Sequence, residues 1–190
     1  MDFVFPLKQH VGAPSEALVQ ENDFVKRGQI IAKKPQGALG TNIFSSIDGR
    51  VKAVDTDGIV IEELETDFTK YIPLQGATPR ELIEESGIVG LGGAGFPTSV
   101  KLNLHFEGKG TVIVNAAECE PILSHNITRI QKEPEKLLDG LSIVMKLVNA
   151  EKGIVAVKGI HKEAIEKLEK ANTDGRVSIH ALDNIYPMGE

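Results

Sequence analysis

Cysteine is nearly absent from this chain: Cys119 is the only one in 190 residues. A single thiol excludes an internal disulfide, and it falls short of the roughly four thiolates that an iron–sulfur cluster takes. No stretch approaches the ~20 apolar residues of a membrane-spanning helix. The start, Met1 to Pro6, lacks the basic lead and apolar core of a secretory signal. These absences predict a cytoplasmic protein and leave open a peripheral seat at the inner face of the cell membrane. Net charge is −6 and no long basic run occurs, so nucleic acid is not an expected partner. No two of the five histidines stand at ligand spacing with a cysteine or carboxylate, which argues against a metal site. No Ser-His-Asp or Cys-His arrangement is visible, and two acidic neighbours disfavour a thiolate at Cys119.

What is present is an ordinary globular composition, 41% apolar and 25% charged, enough for one medium domain or two small ones. The most informative stretch is Gly87 to Lys101, where five glycines fall in nine positions and Phe96-Pro97-Thr98 follows. Glycine loses the most freedom on folding, so such a cluster suits backbone that needs positive φ or that a ligand must approach closely. Bare main-chain N–H groups ending in a cation, Lys101, suit a phosphate or an electron-rich ring. The P-loop string Gly-x-x-x-x-Gly-Lys-Ser/Thr does not occur. Gly90-x-Gly92-x-x-Gly95 satisfies the dinucleotide pattern, but Phe96-Pro97-Thr98 does not open a helix as the Rossmann turn does.

Residues 3 to about 65 read as short β segments separated by Gly, Asn and Asp: 17–19, 24–25, 29–32, 42–44, 49–54 and 58–62. Thr66 to Thr78 is a polar connector. Beyond it the grammar becomes α/β. Thr78-Pro79-Arg80-Glu81 predicts a capped helix that Gly87 ends, and Thr98–Leu104 predicts a second short helix. Thr111–Asn115 is a continuous apolar run, expected to be a buried parallel strand. A helix over Pro134–Leu147, a strand over Gly153–Val157, a helix over Lys162–Ala171 and a strand over Val177–Ala181 complete a pattern that predicts parallel pairing.

Two resemblances follow from these residues. The β region, with Val19, Asp23, Val25, Gly28, Ile31 and then Ile47-Asp48-Gly49-Arg50-Val51, resembles the barrel-sandwich fold of biotinyl and lipoyl domains. Those domains carry a modified lysine at a hairpin tip; here Gln36 to Gly40 stands there, which argues against a carrier function. Gly90 to Thr98 is similar to the FMN loop of the NADH-oxidising subunit of respiratory complex I. It is still more similar to the C subunit of Rnf electron-transport complexes and to the electron-transfer protein associated with proline reductase. Val112 to Pro121 resembles the Asn-x-x-Glu-x-Glu-Pro stretch of that family, Lys8 to Pro14 its opening, and Tyr186 to Glu190 the start of a further loop.

The resemblance implies an α/β protein with an amino-terminal all-β part. A barrel-sandwich hybrid is expected over 1–68. A Rossmann-like, three-layer α/β domain that binds FMN and NADH is expected over 69–190, incomplete at its carboxy terminus. It implies hydride transfer from NADH to FMN and electron transfer onward to 4Fe-4S clusters, beside the other subunits of a soluble or membrane-associated redox complex. Full-length Rnf C subunits carry two cysteine-rich cluster motifs that have no counterpart here, so the chain reads as a fragment, with a short paralogue as the alternative. The implied cofactor-binding residues are Gly90, Gly92, Gly93, Ala94, Gly95, Phe96, Lys101, Asn115, Glu118 and Glu120. Asn115, Glu118 and Glu120 also lie just past a strand's carboxyl end, where open α/β sheets hold ligands. Leu91 stands where the complex I loop has arginine. That departure favours the alternative of a docking or assembly module that has lost its cofactor.

Overall fold

A computed structural model describes residues 1–91, 93–118, 122–186 and 188–189. By packing, the chain divides into two compact units, Met1–Asn103 and Leu104–Glu190. The first begins with seven short strands: β1 (Asp2–Pro6), β2 (Glu16–Ala17), β3 (Phe24–Val25), β4 (Ile30–Lys33), β5 (Ile43–Phe44), β6 (Gly49–Val54) and β7 (Gly58–Glu63). They form two antiparallel sheets, ordered β1-β7-β6-β3 and β2-β4-β5. Alternation sets the faces: in β6, Gly49 and Val51 are buried while Arg50 and Lys52 face out. Phe5, Leu7, Val25, Ile31, Ile43, Ile47, Val51, Ile59 and Ile61 meet in one core. Full burial of such side chains stabilises by about 1.5–3 kcal/mol each.

The polar connector is strapped to this β unit. The Arg27 guanidinium lies 5.8 Å from the Phe68 ring centre and 5.7 Å from that of Tyr71, and it donates to the Phe68 carbonyl at 2.8 Å. The Ile72 N–H donates back to the Arg27 carbonyl at 2.9 Å. Helix α1 (Pro79–Glu85) then starts on the expected cap. Thr78 Oγ1 accepts from the Glu81 N–H, and the Glu81 carboxylate accepts from the Thr78 N–H. The glycine-rich segment and a single turn, α2 (Thr98–Lys101), complete this unit. Residues 69–103 therefore pack with the β strands, and the division by contacts falls after Asn103.

The second unit runs β8 (Thr111–Asn115), α3 (His125–Lys132), α4 (Pro134–Val148), β9 (Lys152–Lys158), α5 (Lys162–Ala171) and β10 (Val177–Leu182). Its sheet is parallel, as the alternation of strands and helices predicts, with order β10-β9-β8. Strands added in one direction by right-handed crossovers carry their helices on one face. Accordingly α4 packs on β8, β9 and α5, and α3 packs on α4 and α5. Gly153, Val155 and Val157 of β9 are buried beneath them. Among the described residues the helices of this unit pack on one another, and the Rossmann reversal of strand order is not seen.

The expectation for Thr111–Asn115 needs correction. The strand forms, but at the sheet edge, with one partner among the described residues: Thr111, Ile113 and Asn115 are exposed and Val112 and Val114 half-buried. An apolar run marks a strand, but it does not tell the centre of a sheet from a bare edge. Helix α3, not among the elements read from the sequence, buries only Ile127 and Ile130 of its eight residues.

Candidate functional site

The glycine-rich segment forms a loop with a fixed neck and an open tip. Val89 bridges Pro97, the Gly90 N–H donates to the Phe96 carbonyl at 2.9 Å, and the Thr98 N–H donates to the Ile88 carbonyl at 2.9 Å. Gly95 adopts φ +65°, and an added Cβ would lie 3.0 Å from the Gln9 carbonyl oxygen and 3.2 Å from His10 Cα. Glycine at 95 thus has two causes, conformation and space. Gly93, at φ +77°, has nothing within 4 Å of a built Cβ. Its glycine answers to backbone conformation and leaves an open approach.

The tip is solvent-facing: Leu91 is fully exposed, and Gly93 and Ala94 are exposed too. The N–H groups of Leu91, Gly93, Ala94 and Gly95 have no partner among the described residues. Phe96, at the foot of the loop, is 41% exposed. Lys101, at the end of α2, is exposed and has no ion pair among the described residues. Exposed N–H donors at Leu91, Gly93 and Ala94 without a partner among the described residues, a partly exposed Phe96 and one cation suit the phosphate and ring system of a flavin nucleotide. Gly92 lies outside the described residues.

The second block lies in the other unit, just past the carboxyl end of β8. Asn115 is engaged on both sides of its amide. Its Oδ1 accepts the Ala117 N–H at 3.0 Å, and its Nδ2 donates to the Gly189 carbonyl at 2.5 Å. The Asn-x-x-Glu segment and the segment around Gly189, 74 residues apart, are thereby brought together. Glu118 is buried, and its Oε1 accepts the N–H groups of Asn126 at 2.6 Å and Ile127 at 3.3 Å, in the first turn of α3. A carboxylate there opposes the positive end of the helix. Its Oε2 is buried and has no hydrogen-bond partner among the described residues. Glu120 lies outside the described residues, as do Cys119 and Pro121.

Beside Asn115 a cleft of about 360 Å³ opens between α3 and α4, with Asn126, Arg129, Glu133 and Lys136 on its polar side. Both of its cations pair with Glu133, Arg129 at 3.9 Å and Lys136 in a close contact. The hydrogen bond from Lys136, helped by neighbouring positive charge, holds the Glu133 carboxyl below the usual range. Two cations thus share one carboxylate, and the polar side of the cleft keeps a net positive charge. The sequence-predicted residues divide by unit, with Gly90 to Lys101 in the first and Asn115 and Glu118 in the second. The sequence gives no sign that Gln9 and His10 lie under Gly95.

Comparison with known proteins fits this geometry. The profile of the Nuo51 FMN-binding domain matches residues 83–190. The chain belongs to that family. The RnfC barrel-sandwich hybrid domain matches residues 1–69, in agreement with the two antiparallel sheets described above. Over 99% of its length the chain is 36% identical to the C subunit of a proton-translocating ferredoxin:NAD(+) oxidoreductase complex of Clostridium ljungdahlii. It is 33% identical to the C subunit of a Na(+)-translocating ferredoxin:NAD(+) oxidoreductase complex of Acetobacterium woodii, over 98% of its length. It is 34% identical to the C subunit of an ion-translocating oxidoreductase complex of Rhodobacter capsulatus, over 97%. The matched parts are 45%, 46% and 39% of those relatives, so the chain spans less than half of their length. Within the Nuo51 FMN-binding family the chain is thus of the RnfC type. Among the described residues no helix is long and apolar enough to cross a membrane.

Proposed function

We propose that this chain is the FMN-binding portion of an electron-transfer subunit, which accepts hydride from NADH and hands electrons to iron–sulfur clusters elsewhere in its complex. The observation that carries the reading is the open tip of the glycine loop, whose N–H donors and Lys101 have no partner among the described residues, in a chain of the Nuo51 FMN-binding family. When bound, FMN supplies the step from two-electron to one-electron chemistry. The chain's own residues bind and orient. Gly93, Ala94 and Gly95 offer main-chain donors, Lys101 balances phosphate charge, and Phe96 gives an apolar face. Glu118 Oε2 accepts a donor from the flavin or the dinucleotide, and Asn115 holds the strand-end turn that carries Glu118. Gly92 and Glu120 belong to the same proposed set. The partners are the remaining subunits of the complex, and the location is cytoplasmic, at the inner face of the membrane. Ferredoxin-linked and proline reductase-linked acceptors are both compatible with these residues.

A second reading, a docking module without cofactor, is favoured by one observation: Leu91, fully exposed at the loop tip, stands where the complex I loop has a cation. Titration of the purified chain with FMN and then NADH, followed by flavin fluorescence, separates the two. Micromolar FMN binding that Gly93→Val abolishes supports the flavoprotein. If neither this chain nor a version extended past Glu190 binds FMN, the docking module stands.

A further inference from the structure

Both ends of the glycine-rich segment rest on one part of the β unit. At its start, a Cβ on Gly87 (φ +69°) would lie 2.4 Å from the Asn42 carbonyl oxygen, and Asn42 Nδ2 donates to the Glu85 carbonyl at 3.1 Å. At its end, Gly95 sits directly on Gln9 and His10. The segment 8–15 and the β4–β5 hairpin are in turn bound to each other. The Thr41 N–H donates to His10 Nε2 at 3.2 Å, Ser15 Oγ donates to the Thr41 carbonyl at 2.8 Å, and the Ala13 N–H donates to the Leu39 carbonyl at 3.0 Å. Close packing leaves no slack: a Cβ on Gly40 would be 3.0 Å from His10 Cε1.

The imidazole is held at both ring nitrogens. Nε2 accepts from the Thr41 N–H with Ser15 Oγ 3.3 Å away, and Nδ1 faces the Val11 carbonyl, an acceptor, at 3.1 Å. His10 is buried, so the Nε2 acceptor cannot be replaced by water without opening the packing.

We propose that the β4–β5 hairpin, whose counterpart in biotinyl and lipoyl domains carries the modified lysine, serves here as the seat of the glycine loop. His10 is the positioning residue that joins the two halves of that seat. It acts through Thr41 and Asn42 on the Gly87 end and through its own backbone on the Gly95 end. The amino-terminal domain is then part of the ligand-binding apparatus rather than a separate carrier. The link to flavin rests on the function proposed above; the seat itself does not.

The test compares the wild type with His10→Ala, His10→Gln and Gly95→Ala by amide hydrogen exchange without ligand, and by FMN titration. Gln restores an acceptor near the Nε2 position. In His10→Ala, exchange at the neck amides of Gly90 and Thr98 rises about tenfold while the core amides of β6 and β7 stay protected, as loss of the imidazole's hydrogen bonds to Thr41 and Val11 would cause. His10→Gln returns them to within about twofold of the wild type. In Gly95→Ala the effect runs the other way, and the Ala13 amide in the seat loses protection. Unchanged neck amides in His10→Ala overturn the proposal. So does equal loss throughout the β core with no rescue by Gln, and so does an Ala13 amide indifferent to Gly95→Ala. If the wild type binds FMN, about tenfold weaker binding by His10→Ala extends the role to the ligand, and equal binding refutes that extension. A wild type that takes up no FMN sinks the flavin reading alone, and the exchange measurements still decide on the seat.

Discussion

The Glu118 carboxylate accepts the main-chain N–H of Asn126 over 2.6 Å, closing the loop after β8 onto the first turn of α3. One oxygen does this structural work, and the other is buried with no partner among the described residues. The two roles are separable by substitution. Glu118→Ala leaves helical N–H groups unpaired in a buried place and lowers stability by about 1–3 kcal/mol. Glu118→Gln keeps a neutral acceptor, and its loss is about 1 kcal/mol or less, because a charged acceptor is exchanged for a neutral one. Urea unfolding measures both. If Glu118 also meets the ligand, Gln weakens FMN or NADH binding well beyond its effect on stability; equal stability losses for Ala and Gln would contradict the capping role.

Gly93 and Gly95 both have positive φ, but their surroundings differ, and alanine at each gives different outcomes. At Gly93 the added methyl meets open space, so Gly93→Ala costs only conformational strain of about 1 kcal/mol. At Gly95 it also meets the Gln9 carbonyl and His10 Cα, so the loop must lift from its seat and the loss is about 2 kcal/mol or more. Thermal melts of the two variants check the order. A Gly95→Ala protein as stable as Gly93→Ala would show that the loop is not tightly seated.

Much of this architecture is legible in the sequence, because local signals suffice for it. Thr78 and Glu81 announce the α1 cap, glycines and asparagines punctuate the β strands, and the α/β alternation gives parallel pairing. The glycine cluster is legible as an ordered loop with positive-φ positions, because its composition is hard to explain as a linker. Long-range facts are not. Which barrel residues lie beneath Gly95 depends on how loops far apart in the chain meet, and His10 bears no mark of that role. The edge position of β8 is equally hidden, since Thr111 to Asn115 reads the same at an edge or a centre.

That edge position is itself testable. Ile113 is 63% exposed on the uncovered face, whereas Val155, on the central strand that β8 pairs with, is completely buried under the helices. Ile113→Thr changes the stability of this chain by about 0.5 kcal/mol or less, as exposed positions do. Val155→Ala removes buried methyl groups and leaves a cavity, costing about 2 kcal/mol. Urea midpoints at matched m values give the comparison. A loss on Ile113→Thr as large as that on Val155→Ala would mean that the outer face is covered.

Acid sensitivity has one clear contributor in the turn before β10. Asp174 receives two side-chain bonds from Arg176, from Nη2 at 2.6 Å and Nε at 3.0 Å, and a third from the Arg176 main-chain N–H at 3.0 Å. The side-chain bonds from Arg176 do most to hold the Asp174 carboxyl down at about 2, with the backbone bond next. An unfolded aspartate titrates near 3.9. Because the folded value is the lower one, the pair's contribution is fully present above about pH 4 and is lost as pH falls through about 2. The pair is exposed, so salt weakens the effect. Carbon-detected NMR titration of the Asp174 carboxyl reads the value directly. Arg176→Gln returns it toward the ordinary aspartate value and flattens the dependence of stability on pH between about 4 and 2. A wild-type Asp174 that already titrates near 3.9 would mean that the forked contact does not persist in solution.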